Sequence, residues 1–129
     1  MKFISLAAAP LALLCGAAQL YMKNVTFNEL TGFGPGAVRD ITLAGQFARE
    51  RLDWVDADNH SLAYTLYEAP GLPAVNIQGT IELNDIGNNN TGIVWTARAD
   101  AITAGAEDGI KARVLDIYTS SIAIVKGLV

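Results

Sequence analysis

The sequence predicts an α+β protein in which a curved antiparallel β-sheet wraps around a long C-terminal α-helix. Two patterns predict it. Between residues 25 and 100, segments rich in β-branched and aromatic residues alternate with short stretches of Gly, Pro, Asn and Asp. After residue 106, apolar residues recur at helical spacing and no proline interrupts them. An amphipathic helix must bury its apolar face, and the sheet offers a large surface for it.

The predicted strands are separated by turns rich in glycine, proline, asparagine and aspartate, such as "GFGPG" at residues 32–36 and "DIGNNN" at residues 85–90. Consecutive strands joined by such short connections are antiparallel neighbours, so the sheet is predicted to be a meander. The predicted strands span residues 25–32, 37–43, 47–56, 61–69, 74–84 and 92–100.

The helix is predicted over residues 106–129. Glu107 and Asp108 near its start and Lys126 near its end have the signs that the helix dipole favours. Its apolar stripe contains Ile110, Val114, Ile117, Tyr118, Ser121, Ile122, Val125 and Leu128.

Composition limits the classes of function. The 129 residues are interpreted as one domain, 1–129. A net charge of −4, without a basic cluster, argues against nucleic acid as a partner. The single cysteine, Cys15, and the single histidine, His60, exclude a metal site built on several thiolates or histidines. No metal is therefore expected.

The first eighteen residues allow two interpretations. "MKFISLAAAPLALLCGAA" has a lysine, an apolar run and small residues, which is the outline of a secretory signal peptide. Alternatively, residues 3–6 form a short strand and Pro10 opens a helix, because proline is tolerated in the first helical turn. The run is short and interrupted by Pro10, so a membrane span is not expected. The first interpretation predicts secretion, and the second predicts a cytoplasmic protein.

Period-2 alternation places two charged residues on the same face as the apolar residues. Arg39 shares its face with Ile41, and Glu50 shares its face with Ala48, Leu52 and Trp54. The other strands add Tyr64, Leu66, Ile77, Gly79, Trp95 and Ala97 to this inner face.

Two interpretations explain the inward charges. Arg39 and Glu50 can form a structural ion pair between adjacent strands. Alternatively, the inner face lines an apolar cavity in which a few polar groups orient a ligand. In that case Glu50 is a candidate acid–base group, and a tyrosine hydroxyl can hydrogen-bond to an oxyanion or a carbonyl.

Four stretches of the sequence, in this order and spacing, resemble the START-like (SRPBCC) superfamily, especially its polyketide cyclase/dehydratase-like members. They are "GAVRDITL", "ERLDWVDADNHSLAYTLYE", "VWTARAD" and "DIYTSSI". The resemblance implies the helix-grip fold, with two short helices after the first strand. The front of the chain has the same rhythm of strand, Ala–Pro and helix opening, so residues 1–24 are interpreted as structure and the protein as cytoplasmic.

The resemblance also implies roles for particular residues. Glu50 matches a glutamate that meets the ligand in related abscisic-acid receptors. Arg39, Tyr64 and Tyr118 match an arginine and two tyrosines in the pocket of a plant hydroxynitrile lyase, although that lyase has a carboxylate at the position of Ala48. These four residues are the candidate catalytic set. The candidate ligand-binding residues are Ile41, Leu52, Leu66, Ile77, Gly79, Trp95, Ala97 and Ile122.

The resulting functional hypothesis is a cofactor-independent enzyme with cyclase, dehydratase or lyase chemistry on an aromatic or carbonyl-containing substrate. Hydroxynitrile lyase-like cleavage of a carbon–carbon bond is one alternative. A non-catalytic carrier of a small hydrophobic or aromatic molecule is another. Edge strands of the predicted sheet also offer a surface for a homodimer.

Overall fold

A computed structural model describes residues 25–127, which form six β-strands followed by an α-helix. The predicted opening strand and the two short helices fall within residues 1–24 and lie outside the described residues. The described part contains no helix that is long and apolar enough to cross a membrane. The elements are β1 Val25–Thr31, β2 Val38–Leu43, β3 Gln46–Asp56, β4 Ser61–Glu68, β5 Ala74–Asp85, β6 Thr91–Ile102 and α1 Glu107–Lys126.

The strands form one antiparallel sheet in the order β1-β2-β3-β4-β5-β6, which confirms the predicted meander. Short turns set this order. Between β2 and β3 the chain reverses at Ala44 and Gly45, whose φ angles are 49° and 80°. Two positive φ values in a row match the right-handed twist of the strands that they join. Short connections of this kind place consecutive strands side by side, so the six strands form one sheet with a single inner face.

The prediction for Trp54 is wrong, since this side chain does not share the inner face with Glu50. The pairing of β3 with β4 is irregular between Leu52, which lies opposite Tyr64, and Trp54, which lies opposite Ala63. An extra residue in one strand interrupts the alternation of faces. Trp54 is consequently 42% exposed.

Helix α1 packs against the inner face of the sheet, and two apolar clusters hold it there. Toward the end of the helix, Ile122 and Val125 pack with residues of β3 to β6. In its first half, Ile110 and Val114 pack with residues that include Ile41 of β2. Burial of these side chains is the main attraction between helix and sheet. The tyrosine cluster and the cavity described below lie between the two ends of α1.

Arg49, on the outer face of the sheet, pairs with carboxylates of the two neighbouring strands. The guanidinium of Arg49 donates two hydrogen bonds to the carboxylate of Asp40, at 2.7 and 2.8 Å, and a third to Glu68 at 3.1 Å. The hydrogen bonds from Arg49 hold the pKa of Asp40 below its usual value. This face is a solvated network of strand charges, as the alternation predicts for Arg49.

Candidate functional site

Arg39 and Glu50 form an ion pair across β2 and β3. They are directly opposed in the strand register, and Nε of Arg39 donates to Oε1 of Glu50. The side chains are only 14% and 6% exposed, so this pair lies in a poorly solvated environment. The contact is the structural ion pair that the sequence allows. Glu50 also lines a cavity between the sheet and the helix.

The cavity lies between the inner face of the sheet and the first half of α1. Its volume is about 50 Å³, which is room for a few water molecules or an equally small ligand. Drug-sized ligands occupy pockets of about 300–1,000 Å³, so a larger molecule requires side chains to move. The wall consists of Ile41, Leu43, Glu50, Tyr64, Leu66, Leu72, Ile77, Ile110, Arg113, Val114, Ile117 and Tyr118.

Two tyrosines and a tryptophan form a hydrogen-bonded cluster at one side of the cavity. Nε1 of Trp95 donates to the hydroxyl of Tyr64 at 2.9 Å. The hydroxyls of Tyr64 and Tyr118 are 3.2 Å apart, and either can donate. The rings of Trp95 and Tyr118 stack, with centroids 4.1 Å apart and planes inclined by 13°. Strand and helix are thereby joined by aromatic contacts as well as by hydrogen bonds.

Both tyrosine hydroxyls are neutral at physiological pH. Burial raises the pKa of Tyr64 well above its usual value of 10. Burial also raises the pKa of Tyr118. One of the two hydroxyls donates its proton to the other. The hydroxyl that accepts this bond still has its own proton, which no described hydrogen bond uses. That proton is available to a hydrogen-bond acceptor in the cavity.

Gly79 makes room for Tyr64 rather than for a ligand. The two residues are directly opposed in β5 and β4. A Cβ atom at position 79 would lie 2.3 Å from Cζ and 2.5 Å from the hydroxyl oxygen of Tyr64. Carbon atoms do not approach so closely, so the tyrosine ring fills the space that the small residue leaves. The prediction that Gly79 is a ligand-binding residue of the cavity is therefore corrected, because Gly79 packs against Tyr64 and is not part of the cavity wall.

The structure separates the predicted site residues into two groups. The cavity wall includes Ile41, Glu50, Tyr64, Leu66, Ile77 and Tyr118. The others lie outside the cavity wall. Arg39 pairs with Glu50 without lining the cavity, and Ala97 is exposed. Leu52, Trp95 and Ile122 belong to the apolar cluster at the far end of α1.

Six wall residues are not among the predicted site residues: Leu43, Leu72, Ile110, Arg113, Val114 and Ile117. Leu72 belongs to the turn before β5, and turn patterns in a sequence indicate only a connection between strands. Arg113 is charged, and a charged residue does not match the pattern of an apolar helix face. Its spacing could have revealed it, since position 113 lies three residues after Ile110 and four before Ile117.

The described residues contain no group of three or more His, Cys, Asp or Glu side chains that could hold a metal ion. The polar groups at the cavity are instead one carboxylate, one guanidinium and two phenols. Such groups can donate and accept hydrogen bonds and can transfer protons.

Comparison with protein-family models finds no match, and comparison with curated proteins finds no similar sequence. Solved structures do match. Ara h 8.0201 superposes with a TM-score of 0.74 at 15% identity, over 98% of this chain and 93% of that one. The protein XoxI from Bacillus cereus gives 0.76 at 17% identity, over 98% and 92%. An uncharacterized protein from Bacillus thuringiensis gives 0.74 at 20% identity, over 99% and 93%.

These structures share the antiparallel sheet with a long C-terminal helix against it. At 15 to 20% identity the likeness establishes the fold. The chain therefore has the helix-grip fold that the resemblance of its sequence implies.

Proposed function

We propose that the protein binds a small, largely apolar molecule that carries a hydrogen-bond acceptor such as a carbonyl group. The observation that carries this proposal is the cavity beneath α1. Its walls are largely apolar, and one tyrosine hydroxyl in the wall has a proton that is not donated in any described hydrogen bond. Pockets of this composition bind the body of a ligand by its apolar surface and orient it by a few polar groups. The superfamily with this fold binds hydrophobic ligands, which supports the proposal.

The size of the cavity favours a small ligand. A volume of about 50 Å³ admits only a few non-hydrogen atoms before side chains must move. Leu72, in a turn, and Val114, on the helix, are wall residues that lie outside the sheet. Movement of the turn and of the helix side chains would enlarge the cavity without breaking strand pairing. Ligands with an aromatic ring therefore belong to the proposed class.

A residue that fills the cavity is expected to abolish binding. Val114→Phe adds a ring to the helical wall, and the ring occupies the space proposed for the ligand. The control is Leu115→Phe, which adds the same type of ring to the next residue, a side chain that is 60% exposed. Binding of acetophenone and of 4-methylpentan-2-one is measured by NMR titration, after circular dichroism shows that both variants are folded.

We expect the dissociation constants of Leu115→Phe to stay within about twofold of the original protein, and those of Val114→Phe to rise beyond detection. Equal binding by both variants would place the ligand elsewhere. Absence of binding by the original protein would contradict the proposed function itself.

Acid–base catalysis is the second candidate function, and the position of Glu50 favours it. Its carboxylate lines the cavity while Arg39 holds it in place from the neighbouring strand. In such a reaction the C–H bond next to a carbonyl breaks and the proton moves to Glu50. The electron pair moves to the carbonyl oxygen, where a tyrosine O–H stabilises the developing charge. Cyclisation, dehydration and carbon–carbon cleavage next to a carbonyl can all begin with this step.

Glu50→Gln tests this second function. The probe reaction is exchange of the methyl protons of acetophenone for deuterium in D₂O, followed by NMR. If Glu50 is the base, we expect the variant to lose about 100-fold or more of the protein-dependent exchange rate while it still binds acetophenone. Glu68→Gln, at an exposed outer-face carboxylate, is expected to keep the original rate. Binding without exchange in the original protein would favour a carrier over an enzyme.

A further inference from the structure

Arg113 brings a positive charge to the cavity that the wall does not balance. It projects from the second turn of α1, is half-buried and lines the cavity. The other charged wall residue, Glu50, is already neutralised by Arg39. Arg113 therefore adds one uncompensated positive charge to the cavity wall.

No carboxylate in residues 25–127 lies within ion-pair distance of Arg113; the four described ion pairs involve Arg39, Arg49 and Arg51. Asp116, three residues further along α1, instead accepts a hydrogen bond from Ser120 at 3.5 Å. Residues 1–24 contain no aspartate or glutamate, so that part of the sequence has no side-chain carboxylate to offer. The guanidinium of Arg113 therefore has no ion-pair partner among the acidic side chains of residues 25–127 and can pair with the anionic group of a ligand.

We propose that Arg113 binds a carboxylate group of the ligand and thereby selects small apolar carboxylates over neutral molecules of the same shape. This inference rests on the proposed function, since the apolar body of the ligand occupies the same cavity. A carboxylate fits better than a phosphate monoester because a single guanidinium offers one positive charge and two parallel N–H donors. In the proposed complex, the carbonyl of the ligand accepts a hydrogen bond from a tyrosine hydroxyl, and its carboxylate pairs with Arg113 on α1.

The alternative explanation for Arg113 is purely structural: its aliphatic stem covers the apolar wall while its charged group faces water. Arg113→Met separates the two explanations, since methionine keeps an unbranched apolar stem and removes the charge. Arg113→Lys keeps the charge but loses the planar pair of donors. The matched control is Lys111→Met, which makes the same charge change at an exposed residue two positions earlier on α1.

The probes are two matched pairs, each a carboxylate and the neutral amide of the same shape. They are 3-methylbutanoate with 3-methylbutanamide, and phenylacetate with 2-phenylacetamide. Dissociation constants at pH 7 are measured by NMR titration for the original protein and the three variants. Thermal unfolding of each protein shows whether a variant has lost affinity or has lost its fold.

We expect the original protein to bind a carboxylate about tenfold or more tightly than its amide. Arg113→Met abolishes that preference, so that a carboxylate and its amide bind with similar dissociation constants, whereas Arg113→Lys keeps part of the preference and Lys111→Met keeps all of it. Equal affinity for carboxylate and amide in the original protein would overturn the anchor while the proposed function stands. A preference that survives in Arg113→Met would overturn it too. If no probe binds the original protein, the proposed function and this inference both fail.

Discussion

Replacement of Gly79 by alanine is expected to destabilise the protein by about 2–4 kcal/mol, although a single methyl group is added. In most strand positions this change is neutral or favourable, because glycine has an entropic cost in a strand. At position 79 the new Cβ would lie 2.3 Å from Cζ of Tyr64. The ring must therefore move, and it then loses its hydrogen bonds to Trp95 and Tyr118. Buried polar groups without a hydrogen-bond partner lower the free energy of unfolding.

The measurement is urea unfolding followed by far-ultraviolet circular dichroism. Gly109→Ala is the control, because nothing lies within 4 Å of a Cβ at that helical position. It is expected to be neutral or to stabilise by up to about 1 kcal/mol through helix propensity. Tyr64→Leu removes the clashing ring, so Gly79→Ala in that background should cost less than in the original protein. If the cost of Gly79→Ala were the same in both backgrounds, the close approach of Tyr64 would not be its cause.

The architecture could be predicted because its determinants are local in the sequence. Alternation with period 2, bounded by turn residues, locates each strand, and the switch to helical spacing after residue 106 locates α1. The opposition of Arg39 and Glu50 is also accessible, since a short hairpin turn between two strands fixes their register. Burial then follows for both side chains, because they share the inner face.

The details of the site depend on contacts between distant elements, which no local pattern contains. The irregular pairing near Asp53 turned Trp54 outward, although nothing in the strand sequence marks the interruption. Gly79 is small because a ring from the neighbouring strand lies over it. Arg113 occupies a stripe position that helical spacing alone would assign to an apolar residue. In each case the partner across the fold determines the outcome, and periodicity describes only one side of the contact.

Replacement of Arg39 by methionine is the second large effect that we expect, about 3–5 kcal/mol of lost stability at pH 7. The variant keeps the carboxylate of Glu50, whose side chain is 6% exposed, and removes the cation that faces it across the strand register. The free energy of unfolding is measured in urea. Arg51→Met removes a cation that is 51% exposed and pairs with Asp53, whose carboxylate keeps a hydrogen bond from Thr65. It is expected to cost about 1 kcal/mol or less. Equal losses in the two variants would mean that burial does not strengthen the Arg39–Glu50 pair.

The double variant Arg39→Met/Glu50→Leu then separates stability from function. Apolar replacements of a buried ion pair are often neutral or stabilising, so we expect it to recover most of the stability lost in Arg39→Met. A pair that can be replaced without loss of stability has no structural reason to lie on an apolar face. If the double variant is stable and binds acetophenone but no longer exchanges its protons, the charge at Glu50 serves chemistry. If it is as unstable as the single variant, the pair serves the fold, and acid–base catalysis loses the observation that favours it.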